Sequence, residues 1–528
     1  MTTTPEPNEG TPFLNFASVR TRINPRHTLA LLGCLGLAVD YCQRISLSVA
    51  IVAMVQPSPD NTSRSCPYAF YHSSNVHAAP WPYGNYSAQM IATTEAMQWE
   101  RGGKEFSWDK WTQGLVLGSF YWGYAVTSLF GGRISDYLGG KTVMGLGVFA
   151  ASFLTLMTPL AACASVQALV ITRIFLGIAQ GIIIPAMNTI LASWFLPTER
   201  IKYTAIIMSG CQVGAAVGMT FSGLLADSSF LHGWPSVFYF FGAVGVMWCM
   251  SWCFLVHSQP EDHPGVSPEL LSRLQDNQNS VKQREVVQIP WKSLATSVPL
   301  WGVILAGLGN DYGFYTFLVD LPTYLNDVHH LNLTNIGLLS ALPFLLMLLW
   351  SLGWGALMHT LNLRNIVSLV TVRRMSMAAA LYGPVVGLMV LMFMQCNMAL
   401  TVSMICLVVM LNGAASSGYL SSLQDLAPNL AGTLMGLTNT VGSLAGIGSP
   451  ALTGYVIEES NTEQPWRIVF LIIAVLYFAT CTFYLIVISA DVQPWNEPPG
   501  SLRVHLRHHG RHRGYHQQVP ATHHHLAD

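Results

Sequence analysis

Two arginines stand where an arginine is expensive. Arg44 lies inside an apolar run near 28–55, and Arg173 inside another near 166–190. An ionisable side chain at the centre of a bilayer costs at least about 2.5–3.5 kcal/mol, so both are expected to face a polar cavity. The guanidinium is a planar fork of donors that matches the oxygens of a carboxylate or a phosphate. The chemistry these residues could do is therefore to hold an anion. A structural ion pair, or snorkelling to an interface, stays open as the alternative for each. Asp40 precedes Arg44 by one helical turn, so the two can share a helix face. Asn310, Asp311, Tyr312 and Tyr315 form a polar cluster in a later run, and Tyr121 and Tyr124 do so in an earlier one. These tyrosines suit a substrate larger than phosphate, with plain aromatic packing as the alternative.

The elements that must carry these residues are membrane helices. The chain has 528 residues, of which 51% are hydrophobic and only 10% charged. Soluble domains carry roughly 25% charged residues. So few charges could not cover a soluble protein of this length, whereas lipid solvates apolar side chains directly. Spanning helices need about 20 apolar residues. Runs of that size lie near 28–55, 111–132, 142–162, 166–190, 203–226 and 236–256, and again near 298–321, 336–358, 376–395, 397–421, 430–456 and 466–490. The fold class expected is all-α integral membrane, with 12 transmembrane helices in two six-helix bundles.

The domain organisation follows from those runs. A cytosolic tail at 1–27 precedes an N-terminal bundle at 28–256, which includes a long loop at 56–110. A polar cytosolic linker at 257–297 leads to a C-terminal bundle at 298–490 and a His/Arg-rich, disordered tail at 491–528. The first run is too long for a signal peptide and reads as a retained helix. Basic residues collect in cytosolic loops, and with both termini cytosolic those loops hold Arg26, Arg133, Lys141, Arg200, Lys202, Arg364, Arg373 and Arg374, among others. Three N-x-S/T acceptors, at Asn61, Asn85 and Asn332, then fall on the outer side. The ten cysteines read as small apolar packing groups rather than a disulfide framework. The net charge of −1 gives no field for nucleic acid. No metal site is expected, since the tail's histidines lack Cys or acidic ligands at metal spacing.

One loop carries a motif. Gly132-Arg133-Ile134-Ser135-Asp136-Tyr137-Leu138-Gly139-Gly140-Lys141 resembles the signature between helices 2 and 3 of the major facilitator superfamily. Its glycines allow a tight turn, and Asp136 can cap a helix start or pair with an Arg. Gly132, Asp136, Gly139 and Lys141, with Arg200, are expected to form a conformational latch. The corresponding segment near Gly355-Ala356-Leu357-Met358-His359 is degraded. Gly210, Gly214 and Gly218, and the pairs Gly432/Gly436 and Gly442/Gly446, have the spacing of four that lets helix backbones touch.

Further segments are similar to the anion:cation symporters of that superfamily, which include sialin and the vesicular glutamate and type I phosphate transporters. They are Tyr41-x-x-Arg44-x-x-Leu47-Ser48-Val49-Ala50-Ile51-Val52, Trp111-Thr112-Gln113-Gly114, and Gly118-Ser119-Phe120-Tyr121-Trp122-Gly123-Tyr124. The series continues with Arg173-x-x-x-Gly177-x-x-x-Gly181-x-x-x-Pro185, Trp194-x-x-Pro197-x-x-Arg200, Trp234-x-x-Val237-Phe238-Tyr239, Gly313-Phe314-Tyr315, Asp425-Leu426-Ala427-Pro428 and Gln493-Pro494-Trp495. The resemblance implies alternating-access transport of an organic or inorganic anion, with Arg44 and Arg173 contacting it. It also implies a cation, H+ or Na+, as coupling ion and no other cofactor.

The sequence departs from the family pattern at three places. Gln180 replaces the acid of helix 4 that takes part in proton coupling. Ser422-Leu423-Gln424-Asp425 lacks the histidine of helix 10, and Ser46 replaces an asparagine. Asp40 or Asp311 is the expected substitute for the missing proton carrier. The partners expected are a small anionic solute and the bilayer, with the chain acting as a monomer in a plasma, lysosomal or vesicular membrane. A non-transporting receptor or sensor on the same fold is the competing class. An embedded enzyme lacks support, because no metal cluster or nucleophile motif lies in the runs.

Overall fold

Each apolar run forms a rod because no water is present in a bilayer core to satisfy backbone N–H and C=O groups, which leaves the helix as the conformation that satisfies itself. A computed structural model describes residues 25–55, 106–263, 265–282, 289–393, 397–428, 430–458 and 463–496. Twelve rods appear in order. The first half holds α1 (Pro25–Met54), α2 (Lys110–Leu138), α3 (Gly140–Ala164), α4 (Val166–Trp194), α5 (Pro197–Asp227) and α6 (Pro235–Leu255). The second holds α7 (Val298–His329), α8 (Leu333–Leu363), α9 (Leu369–Phe393), α10 (Met398–Leu426), α11 (Ala431–Val456) and α12 (Glu463–Val487). Two short helices, Pro268–Lys282 and Trp291–Thr296, lie in the linker between them.

Polar residues at the run boundaries start the rods. Asp109, Ser165, Asn332, Ser368 and Asn397 each accept a hydrogen bond from a backbone N–H in the first turn of the helix that follows. Among the described residues, nine of these helical stretches are long and apolar enough to cross a membrane. The rods outside that nine are α2, α7 and α11; α2 packs on α11 across the seam between the halves, and α5 on α8. Exposed Leu31, Leu146, Phe153, Phe254, Phe393 and Ile486 face outward, as lipid-bathed positions do.

Three rods are interrupted. In α4 the helix breaks at Ile182, between Gly181 and Pro185. In α10 a 3-10 turn at Gly413–Ser416 separates Asn412 from Tyr419. In α9 a π-turn at Ala378–Tyr382 precedes Pro384, whose missing N–H removes a helical hydrogen bond. Irregular backbone at membrane depth is tolerated where it is buried in protein or lines a cavity.

Successive helices run in alternating directions, so one end of the bundle, the near end, holds the start of α1 and the end of α12. The two halves meet differently at the two ends. At the far end α2 lies on α11 and α5 on α8 at backbone contact distance. A Cβ placed on Gly114 would run into the Pro450 carbonyl oxygen, and one on Gly337 would stand 2.6 Å from that of Met219. Lys110 of α2 also donates to Asp327 of α7 across the seam at 2.7 Å. At the near end a Cβ on Gly132, Gly353, Gly432 or Gly436 would meet nothing within 4 Å. The seam is closed at the far end and loose at the near end.

Of the small-residue spacings, Gly210, Gly214 and Gly218 of α5 pack against Cys34, Ala38 and Cys42 of α1. Gly442 makes room for Asp311, and Gly446 for the ring of Tyr121. A Cβ on Gly432 or Gly436 would meet nothing within 4 Å in this state, so the close helix contact expected there is not made, and the near end of the seam is open. The sequons at Asn61 and Asn85, together with Cys66, Arg20, Arg22 and the His/Arg-rich tail from 497 onward, lie outside the described residues.

Candidate functional site

Close packing of α2 on α4 builds the basic part of the site. Gly123 and Gly177 let the two backbones meet, and a Cβ at either would strike a carbonyl oxygen of the other helix. This contact places Arg173, one turn before Gly177, beside Phe120 and Tyr121 of α2. α1 brings Arg44 to the same place, against Phe120 at 4.9 Å and Tyr124 at 4.7 Å from their ring centroids. The Arg44 and Arg173 side chains are both buried. Their cations lie over ring faces, the attractive arrangement for a cation on an aromatic quadrupole.

The hydrogen bonds leave capacity unused. Arg44 donates from Nη2 to Asp40 at 3.3 Å and from Nε to the Gln180 side-chain oxygen at 3.3 Å. Gln180 donates in turn to the Asp40 backbone oxygen at 3.1 Å. Arg173 donates from Nη2 to the Arg44 backbone oxygen at 3.0 Å. Arg44 Nη1, Arg173 Nε, Asp40 Oδ1 and the Tyr121 hydroxyl are buried without a partner. Arg44, Ser48, Phe120, Tyr121 and Arg173 line one cavity, closed by Val319 of the other half. It has room for about one water molecule. The charge count there is two guanidiniums against one carboxylate, a net +1. A carboxylate at position 180 would have cancelled it; Gln180 does not.

A second cluster stands in the other half. Asn412 donates to Asn310 at 2.9 Å and to the Tyr477 hydroxyl at 3.2 Å. Asn310 donates to Asp311 at 3.2 Å, and the Tyr419 hydroxyl donates to Asp311 at 3.3 Å. The break in α10 separates Asn412 from Tyr419, and the break in α4 follows Gln180, so each cluster sits at an interrupted helix. Tyr121 and Tyr315 join the halves, with ring centroids 4.6 Å apart, and Asn439 of α11 reaches the Tyr124 hydroxyl at 3.5 Å.

The structure thus brings together Asp40, Arg44, Arg173, Gln180, Tyr121, Tyr124 and Tyr315 from the sequence expectations. Asp311 stands apart with its own partners. Tyr312 is half-buried, and its hydroxyl makes none of the hydrogen bonds found among the described residues. Latch residues occupy the near end. Gly139 has φ +86°, a conformation that favours glycine, and makes the turn from α2 to α3. Lys141 donates to the Cys253 carbonyl oxygen, and Arg200 to those of Ala192 and Phe195. Asp136 is exposed and neither caps α3 nor pairs with an arginine among the described residues, because Gly139 occupies the cap position. A Cβ on Gly132 would meet nothing within 4 Å in this state. Asn332 is exposed at the far end, where it caps α8.

Sequence reasoning missed Asn412, Tyr419 and Tyr477, which show no signal in a helix-by-helix reading. It also missed Lys110, Asp327 and Asp320. Asp320 carries the same signal as Arg44, a charge within an apolar run, near the run's end. No group of three or more metal-ligating side chains occurs among the described residues.

Known proteins bear on this geometry. Residues 83–450 match the family described as Major Facilitator Superfamily. Human sialin is 33% identical over 478 residues, covering 89% of this chain and 90% of sialin. Vesicular glutamate transporter 2.2 of Danio rerio is 30% identical over 477 residues, covering 90% of this chain and 75% of that one. Among solved structures, a bacterial homolog of the human lysosomal transporter Spinster, in an inward-facing and occupied conformation, superposes with a TM-score of 0.62. It is 16% identical and covers 88% of this chain and 97% of that one. At that identity the likeness speaks for the fold.

Proposed function

This chain belongs to the anion:cation symporters of the Major Facilitator Superfamily, and on that premise we propose that it moves a small carboxylate or phosphate anion across a membrane by alternating access, coupled to H+ or Na+. The observation that carries this reading is the pair of buried arginines with unpaired N–H groups on one cavity at the seam between the halves. Two like charges held this close repel each other. A monoanion between them would offset that repulsion and satisfy the free donors at once. The neighbouring rings of Phe120, Tyr121 and Tyr124 supply apolar walls and one unpaired hydroxyl.

The cavity as it stands is too small for an organic anion, so loading requires the seam to widen. Its loose near end is the side that opens in this state. We take the near end as cytosolic. Supporting this are the basic loops gathered there and the sequon residue Asn332 at the opposite end. The name of one relative, a vesicular glutamate transporter, favours a vesicular membrane. Rocking of the halves about Tyr121 and Tyr315 would then expose the site to the other side.

Coupling falls to a carboxyl, since Gln180 cannot carry a proton. An arriving anion competes with Asp40 for Arg44, and Asp40, losing its counterion, binds a proton in exchange. Asp311 in the second cluster is the alternative carrier. The test is uptake of a panel of labelled anions into proteoliposomes under a proton gradient and, separately, a sodium gradient, with Arg173→Ala as control. Uptake driven by one gradient and abolished in the variant supports the reading. No uptake of any anion by folded protein would sink it.

A further inference from the structure

A second cavity lies toward the far end of the seam, and its geometry repeats on three helices. α2 presents Lys110, Gln113, Gly114 and Leu117; α11 presents Pro450, Thr453, Gly454 and Ile457. Both sets have the spacing i, i+3, i+4, i+7 that lines one helix face. From α7 come Asp320 and Thr323, with Asp327 one further turn along on the same face. The space holds about one water molecule. Asp320 is 4% exposed, and its Oδ2 has no partner.

The charges do not balance. Among the described residues Lys110 is the only cation lining the cavity, and both of its short hydrogen bonds, at 2.7 and 2.9 Å, go to Asp327. Tyr121 of α2 and Tyr312 of α7 face Asp320 from further off, as neutral hydroxyls. α11 contributes no titratable group to the cavity. Arg44 of α1 lines the neighbouring cavity, which shares Leu117, and Arg467 stands at the far end of α12. Closing the seam therefore buries two carboxyls with one ammonium. A buried ion without a counterion costs several kcal/mol, and a proton removes that cost.

We propose that Asp320 is a proton-binding carboxyl of the far-end gate, which takes up H+ from the far-side solution as the seam closes and returns it as the seam opens. The step is carboxylate plus H+ giving carboxyl, with no other bond made or broken. This site is separate from the anion-coupling carboxyls above and rests on the alternating-access reading only for the existence of a far-end-open state. Its sign follows directly: acid on the far side favours the closed gate. One proton on one carboxyl changes the closed-to-open ratio by at most about tenfold per pH unit.

The experiment is a distance measurement by double electron–electron resonance. Spin labels are placed at Ser229→Cys and Glu458→Cys, exposed far-end positions on opposite halves, in a background freed of other cysteines and reconstituted in nanodiscs. In the parent, lowering the pH from about 7.5 to about 5.5 should shift population from the long to the short distance. Asp320→Asn should hold the short distance at both pH values. Asp327→Asn, which frees Lys110 to pair with Asp320, should also remove the titration and serves if the first variant folds poorly. Unchanged titration in these variants, or none in the parent, overturns the proposal while leaving alternating access standing. A single distance under every condition overturns both.

Discussion

The two halves build their polar clusters from the same helices of the repeat, α1 with α4 and α7 with α10, yet with opposite sign. In the first half two arginines face one carboxyl and leave a net +1. In the second, one carboxyl accepts from the Asn310 amide and the Tyr419 hydroxyl, with no cation among its hydrogen-bond partners. The difference suggests a division of labour: the first half attracts an anion, and the second offers a group that a cation or proton can occupy. Both clusters sit where their second helix is interrupted, which frees backbone groups at membrane depth.

The largest test of that division is Arg173→Ala. Each charge-assisted hydrogen bond is worth about 1.5–3 kcal/mol, so losing two bonds to the anion predicts at least a ~100-fold fall in uptake. Thermal unfolding should hardly change, because Arg173 pairs with no carboxylate in the resting site. Normal uptake by this variant would break the comparison outright.

Arg44→Ala should differ in kind. It strands Asp40, and breaking a buried pair costs about 3–5 kcal/mol. A lowered melting temperature is expected along with lost uptake. Pairing it with Asp40→Asn should restore the melting temperature but not transport.

Two glycine substitutions sharpen the contrast between the ends of the seam. Gly114→Ala puts a methyl into the Pro450 carbonyl and should cost the closed far end about 1–3 kcal/mol. Gly436→Ala meets nothing in this state, so any clash it makes arises only when the near end closes. Far-end spin-label distances should move toward the open population in the first variant and toward the closed population in the second.

Asp311→Asn is a subtler test. The amide keeps its partners roughly in place, so anion exchange should persist. Concentrative uptake driven by a proton gradient should fall if Asp311 is the carrier, and should remain unless Asp40→Asn is added if it is not. A double variant that keeps its full pH dependence excludes both. The smallest effect expected is Asn332→Ala, the loss of one helix cap, at about 1 kcal/mol in a denaturation midpoint.

Much of this protein follows from its sequence alone. A charged fraction of 10% and apolar runs of spanning length dictate membrane helices, because lipid solvates apolar side chains and water does not. Arg44, Arg173 and Asp40 could be singled out for the same reason: a charge inside such a run needs a purpose. Spacing also paired Asp40 with Arg44, since four residues make one helical turn. The tertiary structure alone decided which helices meet. It joined Arg44 to Gln180 and Arg173, set Asp311 among Asn310, Asn412 and Tyr419, and placed Lys110 on Asp327. It also left Asp136 exposed and open space where a Cβ on Gly432 or Gly436 would stand. Those contacts depend on how two six-helix halves lean together, and residues more than a hundred positions apart carry no periodic signal of it.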